Sequence, residues 1–286
     1  MRTLPIAVAL MPAAVHAHDG HAHGWSFNYV FLLILLAAAW YGFGWRRLWL
    51  NGSRRVSQGA SHYAGLLVMV IALHSPLAAI SAERVSMHMI QHMLLIVVAA
   101  PLLVFASPLP VYLWALPEDL RHGFARWRSR SRGTISGWRA LTSPGAAWIV
   151  HGIALWAWHL PALYEAALRD SLLHDLEHAS FFFSALLFWW AAWSTVRRER
   201  GAAGILLMFT TLMHSGLLGA LMTFASTPWY GEYVERARGL GLDGLQDQQL
   251  AGLLMWVPMG ATYLVGGMLI FALWFRELER RSLRQI

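Results

Sequence analysis

Cysteine is absent from the 286 residues, and so is lysine. The first absence excludes disulfides, thiolate metal sites and cysteine nucleophiles together. The second means that all 22 basic residues are arginine, and they leave a net charge of +7. Charge of either sign is scarce, at 13% of residues, against roughly 25% in a soluble domain. What fills the space is apolar: 57% of the chain is hydrophobic, with 16 Trp and 24 Gly. That balance describes an integral membrane protein. The arginines lie in short segments between apolar runs, where they read as a topology signal and not as a nucleic-acid surface.

The opening "MRTLPIAVALMPAAVHA" combines a basic residue, a short apolar run and small residues at Val15 and Ala17. This is the pattern of a secretory signal ending at Ala17, and the run is too short to cross ~30 Å of hydrocarbon. Residues 18–26 follow as a His-rich exported tail, residues 27–275 as the membrane domain, and residues 276–286 as a basic cytoplasmic tail. Seven stretches are long and apolar enough to span: Phe27–Trp45, Tyr63–Ile80, Val85–Ser107, Ala146–Leu168, Leu172–Val196, Gly204–Ser226 and Leu250–Phe275. The expected fold is an all-α, polytopic membrane helical bundle with seven transmembrane helices.

Arginine falls unevenly around these spans. One set of loops holds Arg46, Arg47, Arg54 and Arg55, then six between residues 121 and 139, then Arg197, Arg198 and Arg200. The alternate loops hold Arg84, Arg169, and Arg236 with Arg238 among acidic residues. The positive-inside rule then puts the N-terminus outside and the C-terminus in the cytoplasm. The face of the membrane at the N-terminus is then the exterior one.

With orientation assigned, each histidine acquires a depth. His74, His88, His92, His159, His174 and His178 share the outward half of the bundle, while His62 and His122 lie on the other side. His88 with His92, and His174 with His178, are spaced four apart, so each pair shares one helix face. Two facing pairs can hold one metal ion. Imidazole suits several transition metals, and thioether sulfur from Met87, Met89, Met93 or Met255 narrows the choice toward copper, as Cu(I). Asp175 and Glu177 are positioned to orient imidazoles from behind. A lone membrane histidine such as His74, His151 or His214 is more often a packing or hydrogen-bonding residue, and methionine is a common apolar filler. Paired ionisable residues inside spans are functional candidates by default.

Three other readings compete. Haem could sit between facing imidazoles, packed by Trp156, Trp158, Phe181 and Trp189. A di-iron oxidoreductase would need about eight cytosolic histidines, which the outward pairs do not supply. A copper permease would use His151, Met213 and His214 as a deeper path.

The stretches "HMIQHMLLIVVAAPLLVFASP", "LWAWHLPALYEAAL", "LLHDLEHASFFFSALLFWW", "GALMTFASTPWY" and "LQDQQLAGLLMWVP" resemble, in order, the signatures of CtaG-type cytochrome c oxidase assembly factors. The resemblance covers approximately residues 60–275. It implies a non-enzymatic, multi-pass protein of the bacterial plasma (inner) membrane, its metal site facing the periplasm or exterior, that helps supply copper to nascent haem–copper oxidase subunits, its partners alongside membrane lipid. A homo-oligomer is left open. By the same resemblance His88, His92, His159, His174, His178, Asp247 and Met255 occupy motif positions. The chain departs from thiolate-based copper chaperones in having no cysteine, which favours a His/Met site able to release its ion.

Overall fold

The computed structural model describes residues 25–52, 56–197 and 200–282. The expected signal segment and nearly all of the His-rich tail lie outside the described residues, as do Arg54, Arg55, Arg198 and Arg284. Every regular element among the described residues is helical. In order they are α1 (Tyr29–Leu50), α2 (Val56–His74), α3 (Pro76–Ser81) and α4 (Val85–Met93), then a π-helical stretch (Leu94–Ala99) and α5 (Ala100–Ala106). Next come α6 (Leu109–Ala115), α7 (Glu118–Arg130), α8 (Arg132–Leu141), α9 (Pro144–Trp158) and α10 (Pro161–Arg169). The chain closes with α11 (Ser171–Arg197), α12 (Gly201–Thr223), α13 (Gly231–Gly239) and α14 (Gly244–Ser282).

Among the described residues, six continuous helical runs are long and apolar enough to cross a bilayer, and α9 with α10 would make a seventh across a 73° bend. The bend falls at "HLP", where Pro161 disfavours helical geometry at Leu160; Leu160 is accordingly extended. The expected span Ala146–Leu168 is therefore broken at His159. The expected span Tyr63–Ile80 is also displaced: α2 starts at Val56 and ends at His74, because Ser75 caps a separate short helix with Pro76 in its first turn. At the other end, α14 begins six residues before the expected Leu250, so Asp247 stands in a helix and not in a loop. Its 39 residues extend about 58 Å, longer than a ~30 Å hydrocarbon layer is thick.

The third span carries a wide turn with a local cause. Pro101 has no N–H to give. The N–H of Ala100 bonds the carbonyl of Leu95, five residues back. In that register the Ile96 carbonyl would await the amide of residue 101, and the Trp189 indole N–H bonds it instead, at 2.9 Å. A side chain from α11 thus closes a gap that proline opens in its neighbour.

Helices α12 and α14 pack closely because Gly219 and Gly252 face each other. A Cβ on Gly252 would sit 2.6 Å from the Gly219 carbonyl oxygen, and one on Gly219 would sit 2.9 Å from that of Gly252. Small residues at such crossings let backbones touch where no hydrophobic force drives association. The core runs through α4, α11, α12 and α14, with Met89, Phe181, Phe188, Met255 and Tyr263 buried in it. Leu32, Leu36 and Phe43 on α1 and Leu264, Met268 and Phe271 on α14 are exposed apolar side chains, as a lipid-facing belt requires.

Candidate metal centre

The N-terminal turns of α4, α11 and α14 and the end of α9 meet at one end of the bundle, opposite the basic last turn of α14. Here His88 and His92 of α4 face His174, Glu177 and His178 of α11. The imidazole centroids lie 4.2 Å apart for His88–His92, 4.3 Å for His174–His178 and 5.1 Å for His92–His178. His88 is 5.4 Å from His174 and 5.8 Å from His178. All but His174 are buried. The Glu177 carboxylate reaches between the α4 histidines, its oxygens 3.7 Å from His88 Nε2 and 3.8 Å from His92 Nε2.

Hydrogen bonds around this group decide which nitrogens are available. The Tyr233 hydroxyl, on α13, donates to the Ser81 carbonyl at 2.7 Å. Its only proton being spent there, the 2.9 Å contact with His88 Nδ1 must have the imidazole as donor. His88 therefore carries its proton on Nδ1 and keeps the Nε2 lone pair for the cluster. His159 is fixed in the same way, since Nδ1 lies 2.6 Å from the Leu155 carbonyl, which can only accept. Burial pushes the Tyr233 phenol above its ordinary range, so it remains a donor at neutral pH.

The Nε2 atoms of His88, His92, His159 and His178, His92 Nδ1 and one Glu177 oxygen are buried without a hydrogen-bond partner among the described residues. Buried polar atoms are rarely left so. Each neutral imidazole keeps one nitrogen lone pair, and buried lone pairs gathered beside a carboxylate are what a cation satisfies, so these side chains fit a metal ion. Two triads hold ligand atoms within 4.8 Å of one another: His88, His92 and His178, and His88, His174 and Glu177. An ion with bonds of about 2.0 Å needs its ligand atoms about 3.5 Å apart, so loading requires these separations to close by no more than about an ångström.

The remaining expected residues take other places. Asp247 caps α4 from α14: it accepts from the Val85 amide at 2.7 Å and from the Ser86 hydroxyl. It supplies the acidic group that the first turn of α4 lacks, favourable to free N–H groups and the helix dipole. Asp175 turns toward α1, where the Tyr29 hydroxyl donates to it. His74 stands apart, with Nδ1 donating to the Ser26 carbonyl at 3.0 Å and its ring 5.4 Å from Phe31. Met89, Met93 and Met255 are buried in the hydrophobic core that surrounds the centre.

Set against known proteins, residues 39–277 match the model of one family, the cytochrome c oxidase caa3 assembly factor, Caa3_CtaG. The chain belongs to this family. No curated protein and no solved structure matches it. Caa3_CtaG is a family of cytochrome c oxidase assembly factors, and its match includes every residue of the imidazole cluster.

Tyr233 is the residue the sequence did not point to. It lies in a charged segment between spans, "WYGEYVERARG", that reads as a loop. The available signal was spacing: Tyr230, Tyr233 and Ala237 fall on one helical face and all three are buried. Tyr230 donates to the His159 carbonyl at 3.1 Å, and Glu165 accepts from the Gly231 amide at 2.9 Å. Arg169 pairs with Glu232, and Arg236 bonds the Ala82 carbonyl. The segment is thereby held against the centre.

Proposed function

We propose that this Caa3_CtaG protein holds one copper ion, as Cu(I), among His88, His92 and His178 and passes it to a nascent haem–copper oxidase subunit. The observation that carries the reading is the gathering of His88, His92 and His178, whose buried Nε2 atoms have no hydrogen-bond partner among the described residues and whose ligand atoms lie within 4.8 Å of one another. Three neutral imidazoles with Cu(I) carry a single positive charge, and the nearby Glu177 carboxylate offsets it. That lowers the cost of holding an ion in a dry site. Transfer proceeds by ligand exchange, the recipient's side chains replacing these imidazoles one at a time. The positive-inside rule puts this end of the bundle on the exterior face, where an oxidase subunit would meet it.

Copper is favoured over haem because the imidazole rings pack edge to face at 4.2 and 4.3 Å, leaving no slot for a porphyrin. A carrier is disfavoured by the deeper histidine. His151 Nδ1 donates to Ser184 Oγ at 3.0 Å and Nε2 accepts from Tyr263 at 3.2 Å, so both nitrogens are committed. The experiment is metal analysis of the purified protein beside the double variant His88→Ala/His92→Ala. About one copper per wild-type chain and none in the variant, with loss of oxidase maturation, is expected. Normal copper content in the variant refutes the reading.

A further inference from the structure

The five ligand side chains do not form one cage. Among the described residues they gather as two triads, each with its ligand atoms within 4.8 Å of one another, that share only His88. Because Tyr233 holds the His88 proton on Nδ1, His88 has one lone pair to give. It can serve one ion at a time. The triads also differ in chemistry and in depth. His88, His92 and His178 are all buried imidazoles, and His92 and His178 stand one turn further along α4 and α11 than His88 and His174. The other triad includes the Glu177 carboxylate and His174, the only one of the five side chains that is partly exposed.

We infer that His88, His174 and Glu177 form a second, outer ion position for a divalent cation such as Zn2+ or Cu2+, mutually exclusive with the inner imidazole triad. This rests on the copper reading for the inner position and adds a distinct ligand class beside it. Charge balance supports the division. A divalent ion bound directly to the Glu177 carboxylate leaves one net positive charge on its ligand set, whereas the same ion bound by three neutral imidazoles leaves two, so the carboxylate position is the cheaper one for a divalent ion. Carboxylate oxygen is also the harder donor, suited to the divalent ion. The shared ligand gives the pair a use: an ion can shift between the positions by exchanging two ligands while His88 keeps hold of it. The half-buried His174 makes the outer position the one nearer to solvent.

The test compares Zn2+ and Cu(I) affinities of the full-length protein in detergent, each by competition with a chelator of known affinity. Four single variants are compared with the wild type: Glu177→Gln, His174→Gln, His92→Gln and His178→Gln. The ratio of Zn2+ to Cu(I) affinity is expected to fall at least tenfold in the first two and to rise at least tenfold in the last two. Zn2+ is expected to displace Cu(I) from the wild type one for one. Ratios that stay within threefold, or that move the same way in all four variants, overturn the second position while leaving the copper reading standing. Simultaneous binding of both ions also overturns it. A wild type that takes no Cu(I) at all defeats both proposals. Glu177→Gln changes charge but not shape, and a helical spectrum and melting profile matching the wild type show that its effect is not one of folding.

Discussion

The Tyr233 hydroxyl makes two buried bonds, 2.7 Å to Ser81 and 2.9 Å to His88 Nδ1, and Tyr233→Phe removes both without altering the ring. The Ser81 carbonyl and the His88 N–H are then left without partners in a dry site. Each such loss costs about 1–3 kcal/mol, and part of it is recovered if His88 moves its proton to Nε2. That recovery blocks the lone pair the metal needs. Partners of this kind behind a ligating histidine are worth about 10–100-fold in metal affinity, or about 1.4–2.7 kcal/mol. Cu(I) competition against a chromophoric chelator should therefore show Tyr233→Phe weakened by that factor. Tyr230→Phe, which loses only its bond to the His159 carbonyl, should weaken by less. In a His88→Ala background the Tyr233 change should add nothing, as expected when both residues act through one atom. An affinity within threefold of wild type for Tyr233→Phe, with the fold intact, would refute the tautomer argument.

Three further outcomes follow from the packing. Trp189→Phe removes the donor to the Ile96 carbonyl beside Pro101, and should lower stability by about 1–3 kcal/mol, read as a fall in thermal midpoint in detergent; no shift would mean that the wide turn has another partner. Gly252→Val places a side chain where even a Cβ lies 2.6 Å from the Gly219 carbonyl oxygen and the Thr223 amide. It should spread α12 from α14 and lower both folded yield and copper retention, and a wild-type melting profile would contradict the close crossing. Asp247→Asn keeps a cap on α4 but loses its charge, so it should cost about 0.5–2 kcal/mol and less copper affinity than Tyr233→Phe; a larger loss of copper than of stability would argue that Asp247 acts on the ion itself.

The fold was legible because apolar length reports directly on the membrane: six of the seven expected spans contain one continuous helical run apiece. The errors sit at proline. Neither the stop at Ser75–Pro76 nor the bend at Leu160–Pro161 interrupts hydropathy, so an apolar count runs through both. The imidazole cluster was legible for a similar reason, since residues four apart share a face whatever packs around them. Glu177 was expected to orient the imidazoles from behind, and its oxygens lie between the α4 histidines, 3.7 Å from His88 Nε2 and 3.8 Å from His92 Nε2. Asp247 and Tyr233 act across 162 and 145 residues of sequence. Periodicity within one element cannot pair residues so far apart. His74 shared the right depth but not the right azimuth relative to α4, and depth alone cannot separate the two.

The most direct measurement is X-ray absorption on the copper-loaded protein. A first shell of about three nitrogens near 2.0 Å, reduced in His92→Gln and His178→Gln, is the result this arrangement of imidazoles requires. A shell dominated by sulfur near 2.3 Å, or one that is identical when His88 is replaced, would contradict it.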